Sequence, residues 1–190
     1  RMYYTKNVFP LAKREFETAI RLNPSYVKAY DSHGLTLEGT GEDAAATAHY
    51  RKAIQLAKEQ GIKYEWPYIN LCAYYNRQNV AGPALENCQK ALDLNPNSHQ
   101  AHFEIGRAYM AQKNWEQAAK ALEQAIALDP RSARSRFMLS NVYRKVGRVE
   151  ESRKEMEAFQ ELSSRQPRIA APQGGDRTHR GPDIRQEEAR

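Results

Sequence analysis

Between residues 101 and 128 the chain reads AHFEIGRAYMAQKNWEQAAKALEQAIAL, and its apolar and small residues keep two separate rhythms. Ile105, Gly106 and Tyr109 stand at i, i+1 and i+4. Ala118, Leu122, Ala125 and Ile126 stand at i, i+4, i+7 and i+8, with polar residues filling the gaps. Both spacings trace one face of an α-helix, so the stretch predicts two amphipathic helices joined by the polar link Gln112-Lys113-Asn114. Small residues at Gly106 and Ala118 let the two backbones approach, while Tyr109, Trp115 and Leu122 fill the space around that contact. Asp129-Pro130 then ends the second helix, because the residue before a proline is pushed out of the α region and proline is tolerated again at a new helix start.

The pattern repeats. Pro96 precedes Pro130 by 34 residues, and Pro24 precedes Pro96 by 72, which is one further unit of 34 and one of 38. Counting back from each proline, the columns hold Asn23, Asn95 and Asp129; Leu22, Leu94 and Leu128; Ala19, Ala91 and Ala125; Ala12, Ala84 and Ala118; and Tyr3, Tyr75 and Tyr109. The longer unit lies between, with Gly34, Leu37, Ala46, Tyr50 and Ala53 in register and Lys58 where proline stands elsewhere. Its extra residues, about one helical turn, fall near Gly61 to Tyr64. A last unit keeps Leu139, Ser140 and Tyr143 but carries Ser152 and Phe159 at the alanine columns, as a terminal repeat with no outer neighbour does. The expected division is a partial first unit over 1–26, then units over 27–64, 65–98, 99–132 and 133–162, and a tail over 163–190.

Large-Leu-Gly-Tyr spacing in a first helix with Ala-aromatic-Ala-Pro in a second resembles the tetratricopeptide repeat family. His102-Ile105-Gly106-Tyr109 with Ala118-Leu122-Ala125-Pro130 follows that pattern, as does Tyr68-Leu71-Cys72-Tyr75 with Ala84-Cys88-Ala91-Pro96. The resemblance covers roughly residues 1–162. It implies an all-α, right-handed superhelical solenoid of antiparallel helix hairpins that serves as a non-catalytic protein–protein interaction scaffold. It also implies that the parent protein continues upstream of the truncated first unit, through which arrays are free to self-associate. The departures are Cys72 at the glycine column, His102 and Arg136 at the bulky column, and the four-residue insertion. Some family members clamp the C-terminal carboxylate of a chaperone with a Lys/Asn/Arg set. Here Ile69, Ala73, Glu104 and Met138 occupy four of the required positions, and Arg134 alone suits the task, so that specialised role is not expected.

In a stacked array the face of each first helix opposite its core stripe forms a continuous concave wall. At 100° per residue this face carries Trp66, Ile69, Asn70 and Asn76 in the third unit, Phe103, Arg107 and Met110 in the fourth, and Arg134, Phe137, Met138, Asn141 and Arg144 in the fifth. Trp66, Ile69, Phe103, Met110, Phe137 and Met138 make an apolar set of the kind that marks binding surfaces when exposed. The arginines and asparagines beside them supply donors to carboxylates and peptide backbone. The expectation is a groove for an extended or helical peptide of another protein, acidic and with apolar anchors. Packing between neighbouring units that covers part of the apolar set is the competing reading.

The remaining features narrow the classes. The 190 residues carry a net charge of +6, a milder bias than a dedicated nucleic-acid binder shows, and a 34-residue period with Asn-Pro stops disfavours the 35-residue RNA-binding hairpin repeats. No apolar run approaches a membrane span. No charged-then-apolar leader precedes the first helical pattern, so a signal peptide is expected either to be absent or to lie upstream of Arg1, and the compartment stays open. Cys72 and Cys88 lack a zinc-type spacing and are expected as small packing residues on facing helices, with oxidation as the alternative. His99 and His102 have no carboxylate or cysteine at a spacing that completes a metal site. There is no phosphate loop, nucleophile elbow or H-E-x-x-H, so neither a catalytic residue nor a cofactor is expected. The tail from 163 lacks aromatic residues, is rich in Pro, Gly and charge, and is expected to be disordered. The competing functional class is a structural or regulatory segment of a larger protein whose catalytic or DNA-binding domain lies upstream.

Overall fold

The computed structural model describes residues 9–165. Those residues form nine α-helices and no strand: α1 Phe9–Leu22, α2 Val27–Gly39, α3 Asp43–Glu59, α4 Trp66–Arg77, α5 Ala81–Leu94, α6 His99–Ala111, α7 Trp115–Leu128, α8 Ala133–Lys145 and α9 Val149–Arg165. Helices α2/α3, α4/α5, α6/α7 and α8/α9 pair as hairpins, and each hairpin rests on the next. The expected helix remnant around Tyr3 lies outside the described residues, as does the tail from 166 onwards. Residues 163–165, expected to belong to the tail, continue α9 instead.

The Asn-Pro and Asp-Pro phrases act as stops through two bonds each. The amides of Asn23, Asn95 and Asp129 close the last helical turn on the carbonyls of Ala19, Ala91 and Ala125, each at 2.9 Å. Their side-chain oxygens then accept from the amides of Ser25, Asn97 and Arg131 at 3.1–3.2 Å, which turns the chain towards the next helix. Ser98 and Ser132 cap the helices that follow. Within the hairpins, the link residue of one column, Gly41, Asn79, Lys113 or Gly147, sits at φ between 56° and 82°. Glycine and asparagine adopt that conformation readily, and Lys113 holds it under strain.

The two helices of a hairpin close on pairs sixteen residues apart. A Cβ at Gly34 would lie 2.5 Å from the Tyr50 ring, and one at Gly106 would lie 2.7 Å from Leu122 Cγ, so these glycines are contact surfaces for a large side chain. The third unit fills the same columns with Cys72 and Cys88, which are disulfide-bonded, with 5.4 Å between their Cα atoms. This corrects the expectation of simple packing: columns that bring a glycine against a bulky residue are close enough to bring two sulfurs together. The insertion appears as both extra helix and extra loop. Helix α3 has 17 residues where α5 and α7 have 14, and Gly61, at φ 64°, leads into the 60–65 segment.

Candidate concave binding surface

Among the first helices, polar links join α2 to α4 and α4 to α6, and a guanidinium–ring contact joins α6 to α8. Asn70 Nδ2 donates to Asp31 Oδ1 at 2.8 Å, Tyr64 donates its hydroxyl to Asp31 Oδ2 at 2.9 Å, and Arg77 pairs with Glu38 at 2.7 Å. Asp31 is buried, and burial pushes its carboxyl up to about 6, although both hydrogen bonds oppose that shift. Between α4 and α6, Asn76 Nδ2 donates to the Glu104 carbonyl at 2.8 Å and to its Oε2 at 3.0 Å. The buried Glu104 carboxylate also accepts from Arg107 Nη1 at 2.8 Å and from Gln100 Nε2 at 3.2 Å. A buried charge met by three donors is a framing element rather than an open ligand site.

The structure divides the predicted wall. Ile69 and Phe103 are each 2% exposed and belong to the core between neighbouring hairpins, so the expectation that they are surface anchors is corrected. Burial comes from the next unit: Phe103 packs in a cluster with Leu139, Val142 and Tyr143 of α8, and the Arg134 guanidinium lies 4.6 Å above its ring. Asn76 is likewise buried, and Asn70 and Arg107 are engaged by the acids above. Met110 and Met138 are half-buried against the same core.

What reaches solvent is Trp66, 44% exposed at the start of α4, and a group on α8: Phe137, 43% exposed, with Arg134 and Arg144 exposed and Asn141 half-buried. Arg144 Nη2 donates to Asn141 Oδ1 at 2.8 Å, and the Phe137 ring lies 5.2 Å from that of Phe159 on α9. An apolar ring flanked by guanidiniums and an amide can take up an apolar side chain while its neighbours bond carboxylates or backbone carbonyls. Leu35, on the same face of the first helix of the second unit, is exposed as well, and the feature that sequence reasoning left out is the surface shaped by the insertion. Only the four-residue excess pointed to that surface. Among the described residues no helix is long and apolar enough to cross a membrane, and no group of three or more His, Cys, Asp or Glu is placed to hold a metal.

Models of the tetratricopeptide repeat match residues 27–60, 82–123 and 103–167. The human antiviral innate immune response effector IFIT1 is 33% identical over 110 residues, which cover 57% of this chain and 22% of that protein. The chain therefore spans about a fifth of the length of that relative. Among solved structures, TTC0263, a thermophilic TPR protein of Thermus thermophilus, superposes with a TM-score of 0.69 at 23% identity, covering 83% of this chain and 84% of its own. YrrB, a TPR protein with an unusual peptide-binding site, superposes with a TM-score of 0.61 at 18% identity, covering 84% and 80%. At such identities the two structures establish the fold.

Proposed function

The chain belongs to the tetratricopeptide repeat family, and from that premise we propose that the α8 end of its concave wall holds a peptide segment of another protein. Repeats of this family build protein–protein interaction scaffolds. The observation that carries the finer reading is the exposure of Phe137 beside Arg134, Asn141 and Arg144, in a column where Ile69 and Phe103 are core residues. An apolar ring left in water among donors suits an acidic peptide that inserts one apolar side chain and orders its carboxylates around it. Met110 and Met138 supply an adaptable floor, and Trp66 stands further along the wall as a second aromatic anchor. The reading involves no cofactor and no catalytic step.

The test is affinity capture from a cell lysate by the chain and by an Arg134→Glu/Phe137→Ala/Arg144→Glu variant, once circular dichroism shows equal helix content. Proteins retained by the first and lost by the second are the expected result. Identical retention by both would place binding elsewhere on the array.

A further inference from the structure

The insertion builds a second surface, away from the α8 end of the wall. The 60–65 segment is held at both ends. Gln60 Nε2 donates to the Ser25 carbonyl at 2.7 Å, Tyr64 donates to Asp31, and Asn95 Nδ2 donates to Glu65 Oε1 at 2.9 Å. So tethered, it raises Ile62, 47% exposed, as a ridge between two depressions that Ile62 and Tyr64 both line. One, of about 260 Å³, has walls of Tyr26, Val27 and Lys28 and lies against the α1–α2 link. The other, of about 210 Å³, lies between the ends of α3 and α5, with Ile54, Ala57, Tyr68 and Leu94 as its apolar lining and Lys58 at its side. Tyr26 is exposed, so the ridge and one rim together leave substantial apolar area in water.

Lys28 is the charged residue lining the first depression, and the second carries Lys58, Lys90 and Asp93. Lys90 is paired with Glu86, and Asp93 accepts from Gln89 Nε2. Lys28 and Lys58, one in each depression, make no hydrogen bond or ion pair among the described residues. Lys28 of α2 and Lys58 of α3, two ammonium groups without a partner beside apolar hollows that flank the tethered loop, are complementary to carboxylates carried next to apolar side chains. We propose that the surface around Ile62 docks an acidic peptide of a partner protein, its apolar side chains seated on either side of Ile62 and its carboxylates on Lys28 and Lys58. The site is distinct from the one on α8, so the array has two peptide-facing surfaces, one made by the repeat and one by its insertion.

Selection from a random peptide library displayed on phage, with the full chain as bait, tests this when run beside Lys28→Glu/Lys58→Glu, Ile62→Ser and Phe137→Ala/Arg144→Glu variants. All of these substitutions fall on exposed side chains, and circular dichroism checks each fold. The expected outcome is a class of enriched peptides rich in Asp and Glu with apolar partners. Binding of that class falls about tenfold or more in the lysine variant, falls in Ile62→Ser, weakens with salt, and is unchanged in the α8 variant. No enriched acidic class, or a class indifferent to the lysine and Ile62 variants, overturns the proposal. So does a surface whose lysine-dependent contact is only with phosphatidylserine vesicles in co-sedimentation, or only with a second copy in analytical ultracentrifugation. If selected peptides are lost by the α8 variant alone, this site fails while the reading of α8 stands.

Discussion

Phe103 and Phe137 are the same residue in the same column of successive hairpins, 34 positions apart, yet one is 2% exposed and the other 43%. Their own helices do not account for this, since both lie on the outer stripe of a first helix, α6 or α8. The difference is the neighbour. Helix α8 supplies Leu139, Val142 and Tyr143 to the cluster around Phe103, and Arg134 covers its ring, whereas among the described residues no further hairpin follows to cover Phe137. In a one-dimensional array a residue's role is thus set by the adjacent unit as much as by its own. The middle of the array uses its aromatic column for stability, and its α8 end presents the same chemistry to solvent.

The strongest way to break this contrast is Phe103→Ala. It empties a packed site and should cost about 3–5 kcal/mol in urea denaturation. A cost as small as that of an exposed residue would show that the α6–α8 contact does not form. Next in size is the covalent closure one hairpin upstream. Replacing Cys72 and Cys88 by alanine, or reducing the bond, should cost about 2–3 kcal/mol, since the link closes a loop across a separation of 16 residues. It sharpens the comparison because Gly106 and Leu122 close the next hairpin without a bond. A melting temperature that is unmoved by reductant would show that packing alone suffices in both.

The third effect lies at the α1 end. His33 is buried with neither ring nitrogen bonded, its ring 4.4 Å from that of His49 and 6.4 Å from that of Phe16. Lys13 and Glu17 of α1 and Glu42 of the α2–α3 link act on it electrostatically. Burial, the largest influence, holds both imidazoles below their usual value. The native state therefore resists protonation that the unfolded chain accepts, and stability present above about pH 6.5 is lost as pH falls below it. Asp31 acts oppositely: with its carboxyl near 6, its burial costs less as pH falls. His33→Leu should stabilise by about 1 kcal/mol near neutrality by removing unpaired nitrogens. It should also lose less stability than the parent between pH 7.5 and 5.5. Equal slopes for the two in pH-dependent melts would show that His33 does not carry the dependence.

The helices, their pairing and the insertion were legible in the sequence because the signals are local. The alanines at 19, 91 and 125 receive the closing bonds of the Asn/Asp-Pro turns, and the column of Gly41, Asn79, Lys113 and Gly147 turns every hairpin. The apolar stripe of the wall was legible too, but not its division. Ile69 and Phe103 carry no mark that separates them from Phe137, because coverage depends on how closely the next unit approaches. Asn76 reads as a groove residue for the same reason, although it is buried and its amide nitrogen donates to Glu104. The disulfide was half legible: cysteines sixteen apart occupy the columns of Gly106 and Leu122, where side chains meet, but one sequence does not distinguish a thiol pair from a bond.

The most direct test of the account is equilibrium binding of a captured partner's peptide to Phe137→Ala, with the parent as control, under conditions where both are fully folded. Removing a half-exposed ring should lower stability by less than about 1 kcal/mol while weakening the peptide about tenfold or more, as loss of an aromatic anchor does. Unchanged affinity, or a stability loss as large as that of Phe103→Ala, would contradict the claim that the α8 end turns a core column into a binding surface.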